Sequence, residues 1–155
     1  MAAITGALAQ EDRKIVSEVL QGALVDLIDL TLLAKQAHWN VIGHNFRAVH
    51  LHLDEIVGVA RKHTDTIAER ASAIGAHPDG RASTVAKHSH VPQINPGALE
   101  DGKVVAAMTD ILESIVGRMR ERIQAVAEPD PVTQDLLDDV SHDLEKHHWM
   151  MQAQR

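Results

Sequence analysis

The sequence predicts an all-α protein whose four long helices pack as a bundle. Apolar residues recur at three- and four-residue spacing in four separate stretches, and we find no two-residue alternation typical of strands. Apolar residues make up 45% of the 155-residue chain but aromatic residues only 2%, so we expect an aliphatic core between helices. This length suits one domain with its own core, and we expect residues 1–155 to form it.

The first helix is expected from Glu11 to about Val41. Further leucines and valines widen its apolar stripe almost all round the helix. A helix of this kind is buried on more than one side, so we expect it to contact partner helices or other subunits. The stripe consists of Ile15, Val19, Leu20, Leu24, Ile28 and Leu32.

The second helix is expected over Phe46–Ile74, a stretch without proline. Asn45 is expected to cap its start, and Gly75 to follow its end. The segment from there to Gly97 holds three of the five prolines. It is therefore expected to form the long crossover connection of the bundle, with a short helix at Ser83–His88.

The third and fourth helices follow the crossover. The third is expected over Ala98–Ala127, and the fourth from Pro131 nearly to Arg155. Asp130 is the expected N-cap of the fourth helix, with Pro131 at its first position. Their stripes comprise Val104, Val105, Met108, Ile111, Leu112, Ile115, Met119, Ile123 and Val126, then Leu136, Leu137, Val140, Leu144 and Met151.

Candidate metal ligands gather around the start and along the length of the second helix. At about 100° per residue from His50, the side chain of Asp54 falls near 40°, Asp65 near 60° and Glu69 near 100°. These four residues share one face, and His38 precedes them at the end of the first helix. Carboxylates with few imidazoles suit Fe(II) better than zinc or copper. His52 and His63, near 200° and 220°, point the other way.

The ligand spacing excludes a common ion for all of these residues within one straight helix. His50 and Asp65 lie roughly 22 Å apart at about 1.5 Å per residue. Either there are two unrelated half-sites, or a second copy of the helix lies antiparallel across a two-fold axis. His38 can fold back over Asn40 and Gly43 to join His50 of its own chain.

The same stretch resembles the Dps family (DNA-binding protein from starved cells) of twelve-subunit, ferritin-like iron-storage proteins. The resemblance rests on KQAHWNV-x-G-x-x-F-x-x-x-H, followed by D-E and by D-x-I-A-E-R. It implies a ferritin-like bundle and a ferroxidase centre between two-fold-related subunits of a homo-dodecamer. The ligands it implies are His38, His50 and Asp54 of one subunit with Asp65 and Glu69 of its partner.

The resemblance also implies a function. Fe(II) is expected to be oxidised to Fe(III), preferably by hydrogen peroxide, and stored as ferric mineral in the hollow oligomer. Removing both reactants would protect DNA from oxidative damage. Two alternatives stay open: a metal-dependent hydrolase that uses the same site, and a DNA-condensing nucleoid protein without oxidative chemistry.

Other residues carry weaker expectations. Trp39 is expected near the metal site, as an interceptor of oxidising equivalents or as a packing anchor. Asp130 and Asp135 are candidates for a cation pore in the resembled family, although the helix dipole alone favours acids there. Glu55 is a candidate for a cavity-facing carboxylate that seeds mineral. Trp149 is assigned to a subunit contact.

One further motif, Glu145-x-x-His148, matches an element of di-iron bundles. That design needs two such elements, and the sequence contains one, so we expect surface or interface roles for both residues. Five histidines are expected to be solvated or hydrogen-bonded rather than metal-bound: His88, His90, His142, His147 and His148.

The charge and the composition limit which partners and which cellular compartment we expect for this protein. The formal net charge is −7, the first ten residues carry no basic side chain, and the chain ends Gln-Ala-Gln-Arg. Direct DNA binding near neutral pH is therefore not expected. The absence of cysteine fits the cytoplasm, with nucleoid association open. Met1–Gln10 makes a poor signal peptide, and no apolar run is long enough to span a membrane.

Overall fold

The structure is a computed structural model that describes Ile4 and residues 6–155. The first residues of the stretch judged a poor signal peptide lie outside this described part. The elements in chain order are α1 (Gln10–Asn40), β1 (Val41–Ile42), α2 (Phe46–Ala73), α3 (Ala82–His88), β2 (Leu99–Glu100), α4 (Asp101–Val126) and α5 (Pro131–Gln152). The predicted all-α bundle of four long helices, with a short helix in the crossover, is confirmed.

The four long helices enclose an aliphatic core. Helix α1 packs along α2 and α4 along α5, while α1 also meets α4 and α2 meets α5. None of the described helices combines the length and the apolarity that a bilayer crossing requires. The largest fully buried side chains are Leu20, Leu27, Leu30, Leu53, Ile56, Ile67, Met108, Ile111, Leu112, Ile115, Met119 and Leu137.

A two-residue parallel pairing, which the sequence did not predict, joins the end of α1 to the start of α4. Val41 pairs with Leu99, and Ile42 with Glu100. Because Leu99 and Glu100 are extended, α4 begins at Asp101 rather than at the expected Ala98. Two residues are too few to show the alternation by which strands are recognised.

The loop between β1 and α2 depends on Gly43. Its φ of 132° lies in the region open to glycine, and a Cβ there would stand 2.6 Å from Cγ of Asp101. The absent side chain lets the Asp101 carboxylate accept a hydrogen bond from the backbone N–H of Asn45 at 2.6 Å. The Asn45 side chain itself makes no capping hydrogen bond, so the expected cap is replaced by a contact from α4.

The other predicted helix boundaries are close to those observed. Gly75 follows α2 with a φ of 82°, and Pro131 is the first residue of α5. Two residues of the expected α1 stripe are not covered within one chain: Ile15 is 42% exposed and Leu32 57% exposed. Their exposure fits the expectation that α1 contacts more than the helices of its own chain.

Candidate metal centre

His38 and His50 meet where the end of α1 faces the first turns of α2. Their rings stack with centroids 3.6 Å apart and planes inclined by 20°. Nδ1 of His38 lies 2.8 Å from the carbonyl oxygen of His50, and Nδ1 of His50 lies 2.8 Å from the carbonyl oxygen of His38. The turn at Gly43 thus brings His38 back onto the helix that carries His50.

These reciprocal hydrogen bonds fix which nitrogen of each ring is available to a metal. A carbonyl oxygen can only accept, so the Nδ1 atoms of His38 and His50 both carry the proton. Each Nε2 then keeps a free lone pair when the ring is neutral. A second hydrogen bond that fixes the tautomer and orientation of an imidazole is the usual support of a histidine metal ligand.

Asp54 lies one helical turn beyond His50. Its Oδ1 is 3.5 Å from Nδ1 of His38, and it also accepts a hydrogen bond from Nζ of Lys35. The Lys35 ammonium, helped by the two nearby imidazoles, lowers the pKa of the Asp54 carboxyl. Asp54 is therefore an ionised carboxylate at neutral pH, exposed and ready to exchange Lys35 for a cation.

Asp65 and Glu69 lie farther along α2, on its exposed side. Asp65 borders a groove of about 310 Å³ whose lining includes Ile28, Leu32 and Arg61. One chain does not bring these two carboxylates to His50, because the helix between them is continuous. Of the five predicted ligands, three gather in one chain and two stand apart.

The two tryptophans are both on the surface of the single chain. Trp39 is 70% exposed and Trp149 64% exposed. Trp39 follows His38 directly, at the last turn of α1. Within one chain neither side chain is a core anchor, so any packing role has to involve another molecule.

The two acids predicted for a pore differ in availability. Asp130 is 3% exposed and accepts hydrogen bonds from Arg70 at 2.6 Å and Thr133 at 2.5 Å. Burial alone would raise the pKa of its carboxyl, but the bonds from Thr133 and Arg70 together lower it. Asp135 is exposed. Only Asp135 of this pair offers a carboxylate to solvent.

Glu145 of the Glu-x-x-His element is engaged in an ion pair. Nε and Nη2 of Arg120 donate to its two oxygens at 2.6 and 2.8 Å, and Ser141 donates at 2.9 Å. These contacts lower the pKa of the Glu145 carboxyl, chiefly through the Arg120 bonds. Both oxygens of Glu145 are thus engaged by protein groups, which fits the surface or interface role expected from the sequence rather than metal binding.

A second cluster, on the opposite side of α2 from His50, was not predicted as a site. Nε2 of His52 lies 3.1 Å from Nδ1 of His147 on α5, and Glu55 lies one turn beyond His52. Among the described residues, only His52, Glu55 and His147 place three possible ligand atoms within 4.8 Å of one another. The sequence signal was the three-residue spacing of His52 and Glu55, but nothing local pointed to His147.

Another histidine on that side of α2 is also hydrogen-bonded rather than free. His63 is 3% exposed, and its Nε2 lies 2.7 Å from Oδ2 of Asp143. Burial raises and the His63 bond lowers the pKa of the Asp143 carboxyl, with a net lowering. This pair joins α2 to α5 in the same way as the His52 and His147 contact.

Comparison with known proteins identifies the class to which this bundle belongs. A family model described as "Ferritin-like domain" matches residues 17–155, so the chain is a ferritin-like protein. DNA protection during starvation protein from Mycolicibacterium smegmatis is 31% identical over 138 residues, covering 89% of this chain and 75% of that protein. The chain belongs to the Dps family of ferritin-like proteins.

Two further comparisons describe relatives within this family. DNA protection during starvation protein 2 of Deinococcus radiodurans is 38% identical over 147 residues, which cover 95% of this chain but 61% of that protein. The solved structure of Dps from Microbacterium arborescens in the high iron form superposes with a TM-score of 0.91 at 28% identity, covering 97% of each chain. The chain thus spans less than two thirds of the Deinococcus relative.

Proposed function

We propose that this protein is a ferroxidase that oxidises Fe(II), preferably with hydrogen peroxide, and stores the product as ferric mineral inside a hollow homo-dodecamer. The observation that carries the proposal is the paired geometry of His38 and His50, whose Nδ1 atoms are both engaged by backbone carbonyls so that each Nε2 is left for a metal. The ionised Asp54 lies close by, with Oδ1 3.5 Å from Nδ1 of His38. The two imidazoles are thus oriented before metal binds, whereas Asp54 has to leave Lys35 to join them. A relative whose solved structure is described as a high iron form supports iron as the ion.

The rest of the metal site is proposed to come from a two-fold-related copy. Asp65 and Glu69 are exposed on α2 and are unable to reach His50 of their own chain. An antiparallel copy of α2 would exchange ligands in both directions, giving two equivalent sites per pair. The exposed Leu32 beside Asp65 supplies apolar surface for such a contact, and the exposed Trp39, two turns farther along α1, is proposed to lie in it as well.

Iron is the substrate in this proposal. The carboxylates Asp54, Asp65 and Glu69 offset the charge of Fe(II) and stabilise Fe(III) more strongly, which favours loss of the electron. Two Fe(II) ions each give one electron to one peroxide, whose O–O bond breaks. With two water molecules the balance gives two ferric oxyhydroxide units and four protons. Lys35, which is bound to Asp54 in the absence of metal, has to release this carboxylate for the cation to bind it.

The location and the wider role follow from the same chemistry. Consuming Fe(II) and peroxide together prevents them from forming hydroxyl radicals, which would protect nearby DNA without contact. We place this activity in the cytoplasm, where a protein without cysteine needs no oxidising compartment. Asp135, rather than the buried Asp130, is the acid we propose for guiding cations inward.

The shared site is tested by mixing two inactive variants. His50→Ala and Asp65→Ala chains, carrying different tags, are co-expressed and the mixed oligomers purified. In a mixed pair one site carries both changes and the other carries neither. Half of randomly formed pairs are mixed, so about a quarter of the sites are intact, and peroxide-dependent Fe(II) oxidation should recover to about a quarter of the unaltered rate.

The controls separate the shared site from the ferroxidase function. Each variant alone should stay near the uncatalysed rate, whereas His50→Ala mixed with unaltered chains should give about half the full rate. A mixture of the two variants that stays inactive would refute the shared site. Unaltered oligomers that fail to accelerate Fe(II) oxidation would refute the ferroxidase function itself.

A further inference from the structure

We propose that His52, Glu55 and His147 form a second metal site, complete within one chain, for a divalent transition cation of the Zn(II) type. This site is distinct from the shared one because its two histidines meet between α2 and α5, whereas His50 and Asp54 contact residues of α1. It does not depend on the proposed ferroxidase function. Its donors are two imidazoles and one carboxylate.

The distance between the two histidines fits a shared ion. Nε2 of His52 and Nδ1 of His147 are 3.1 Å apart. Two nitrogens bound to a tetrahedral zinc at about 2.05 Å each stand roughly 3.3 Å apart. The two nitrogens therefore already stand close to the separation that a shared ion requires, and the rings have to rotate so that both nitrogens point at an ion beside the line that joins them.

Gln154 allows the His52 ring to change its tautomer when a cation binds. Its Nε2 donates to the carbonyl of Met150 at 2.9 Å and lies 3.1 Å from Nδ1 of His52. The Met150 carbonyl only accepts, so the Gln154 amide nitrogen faces both groups and donates its second hydrogen to Nδ1 of His52. When a cation takes Nε2, the ring proton moves to Nδ1, and the exposed Gln154 amide turns to accept it with Oε1. The imidazole stays neutral throughout.

The surroundings allow a cation to enter and to be held. His52 and His147 are 9% and 5% exposed, which keeps their rings in fixed positions. Glu55 is exposed and provides both the negative charge and the opening to solvent. Two imidazoles and one carboxylate select borderline cations such as Zn(II) or Co(II) over the harder Mg(II). Water would complete the coordination.

The test uses chains whose shared site has been disabled. In a His50→Ala/Asp65→Ala background, Zn(II) binding is measured by equilibrium dialysis and Co(II) binding by the visible absorption of its d–d bands. We expect one ion per chain, a tetrahedral or five-coordinate Co(II) spectrum, and a higher melting temperature with Zn(II) but not with Mg(II).

Two further variants locate the ion. Glu55→Gln preserves the shape of an exposed side chain, so it should fold normally while weakening Zn(II) binding at least about tenfold. Glu121→Gln, an exposed acid on α4, should leave binding unchanged. His147→Gln should abolish the Co(II) spectrum, and if that variant does not fold, Glu55→Gln decides. No bound ion, or binding that is unaffected by Glu55→Gln, would overturn the proposal.

Discussion

At the scale of single residues, buried aspartates paired with arginines join the helices to one another. Asp130 joins the start of α5 to Arg70 near the end of α2, and Asp26 is bound by Arg118 at 2.9 Å and Arg122 at 2.7 Å. Removing one partner of a buried pair leaves the other charge without compensation. Such residues are expected to control stability rather than iron chemistry.

Asp130→Asn is expected to lower the free energy of unfolding by about 3 kcal/mol at neutral pH, because Arg70 is left unpaired. The sign of the pH dependence follows from the lowered pKa of Asp130. The ionised form is favoured in the folded state, so its contribution is complete above the unfolded value of 3.8 and disappears as the pH falls through the lower folded value. Chemical unfolding at several pH values measures this.

The matched control for this change is Asp135→Asn on the exposed side of α5. Its effect on unfolding should stay within about 0.5 kcal/mol. If Asp130→Asn proved as mild as the control, or if its deficit grew below pH 4, the assigned ion pair would not be a stabilising contact.

The contact between His38 and His50 was predictable because its signal was local. His38 and His50 are twelve residues apart, and the intervening Gly43 made their meeting foreseeable. His52 and His147 are 95 residues apart in the chain, so the local sequence around either residue could not predict their contact. Helix angles placed His52 away from His50 correctly, but which helix it would face was set by the packing of the bundle.

At the scale of elements, a glycine marks the end of α2, whereas another glycine lies inside α4. Gly75 follows α2 at a φ of 82°, and a Cβ there would lie 2.8 Å from the carbonyl oxygen of Ile4. Gly117 lies inside α4, where an added Cβ meets nothing within 4 Å. The same substitution should therefore have opposite consequences at these two positions.

Gly75→Ala is expected to destabilise the protein by about 1 to 2 kcal/mol, because alanine is strained in the left-handed region. Gly117→Ala should stabilise it by about 0.5 to 1 kcal/mol, since alanine loses less backbone entropy in a helix. Thermal unfolding of both variants, beside the unaltered chain, compares them directly. Changes of the same sign would contradict the assigned backbone conformations.

Helix boundaries were predictable where the apolar periodicity stopped next to a helix-ending residue. The predicted Phe46–Ile74 and the observed Phe46–Ala73 differ by one residue, because Gly75 marks the end. The start of α4 was predicted three residues early, since Leu99 and Glu100 are held extended by a partner far away in the chain. Tertiary pairing of this kind overrides local helix preference.

At the scale of the whole molecule, the charge of the chain limits its partners. The formal net charge of −7 is multiplied by any assembly of identical chains, while eleven histidines can offset it only in acid. Repulsion of DNA phosphates is the expected result near neutral pH. Membership in the Dps family therefore does not by itself imply that this chain binds DNA directly.

Gel retardation should show no complex with duplex DNA at pH 7.5 in low salt. A complex should emerge only below about pH 6.5, where histidines gain charge. The His50→Ala/Asp65→Ala variant lacks two proposed iron ligands. Comparing its gel retardation with that of the unaltered chain tests whether DNA binding depends on the iron site. Tight binding by both proteins at pH 7.5 would instead favour the nucleoid-protein alternative.

The short pairing of β1 with β2 has a consequence for chain continuity. It fastens the peptide after α1 directly to the peptide before α4, and Asp101 adds a second attachment through Asn45. The stretch around Asn95, Pro96 and Gly97 is exposed and lies before this fastening. We therefore expect cleavage there to leave two fragments that stay associated through their intact helices.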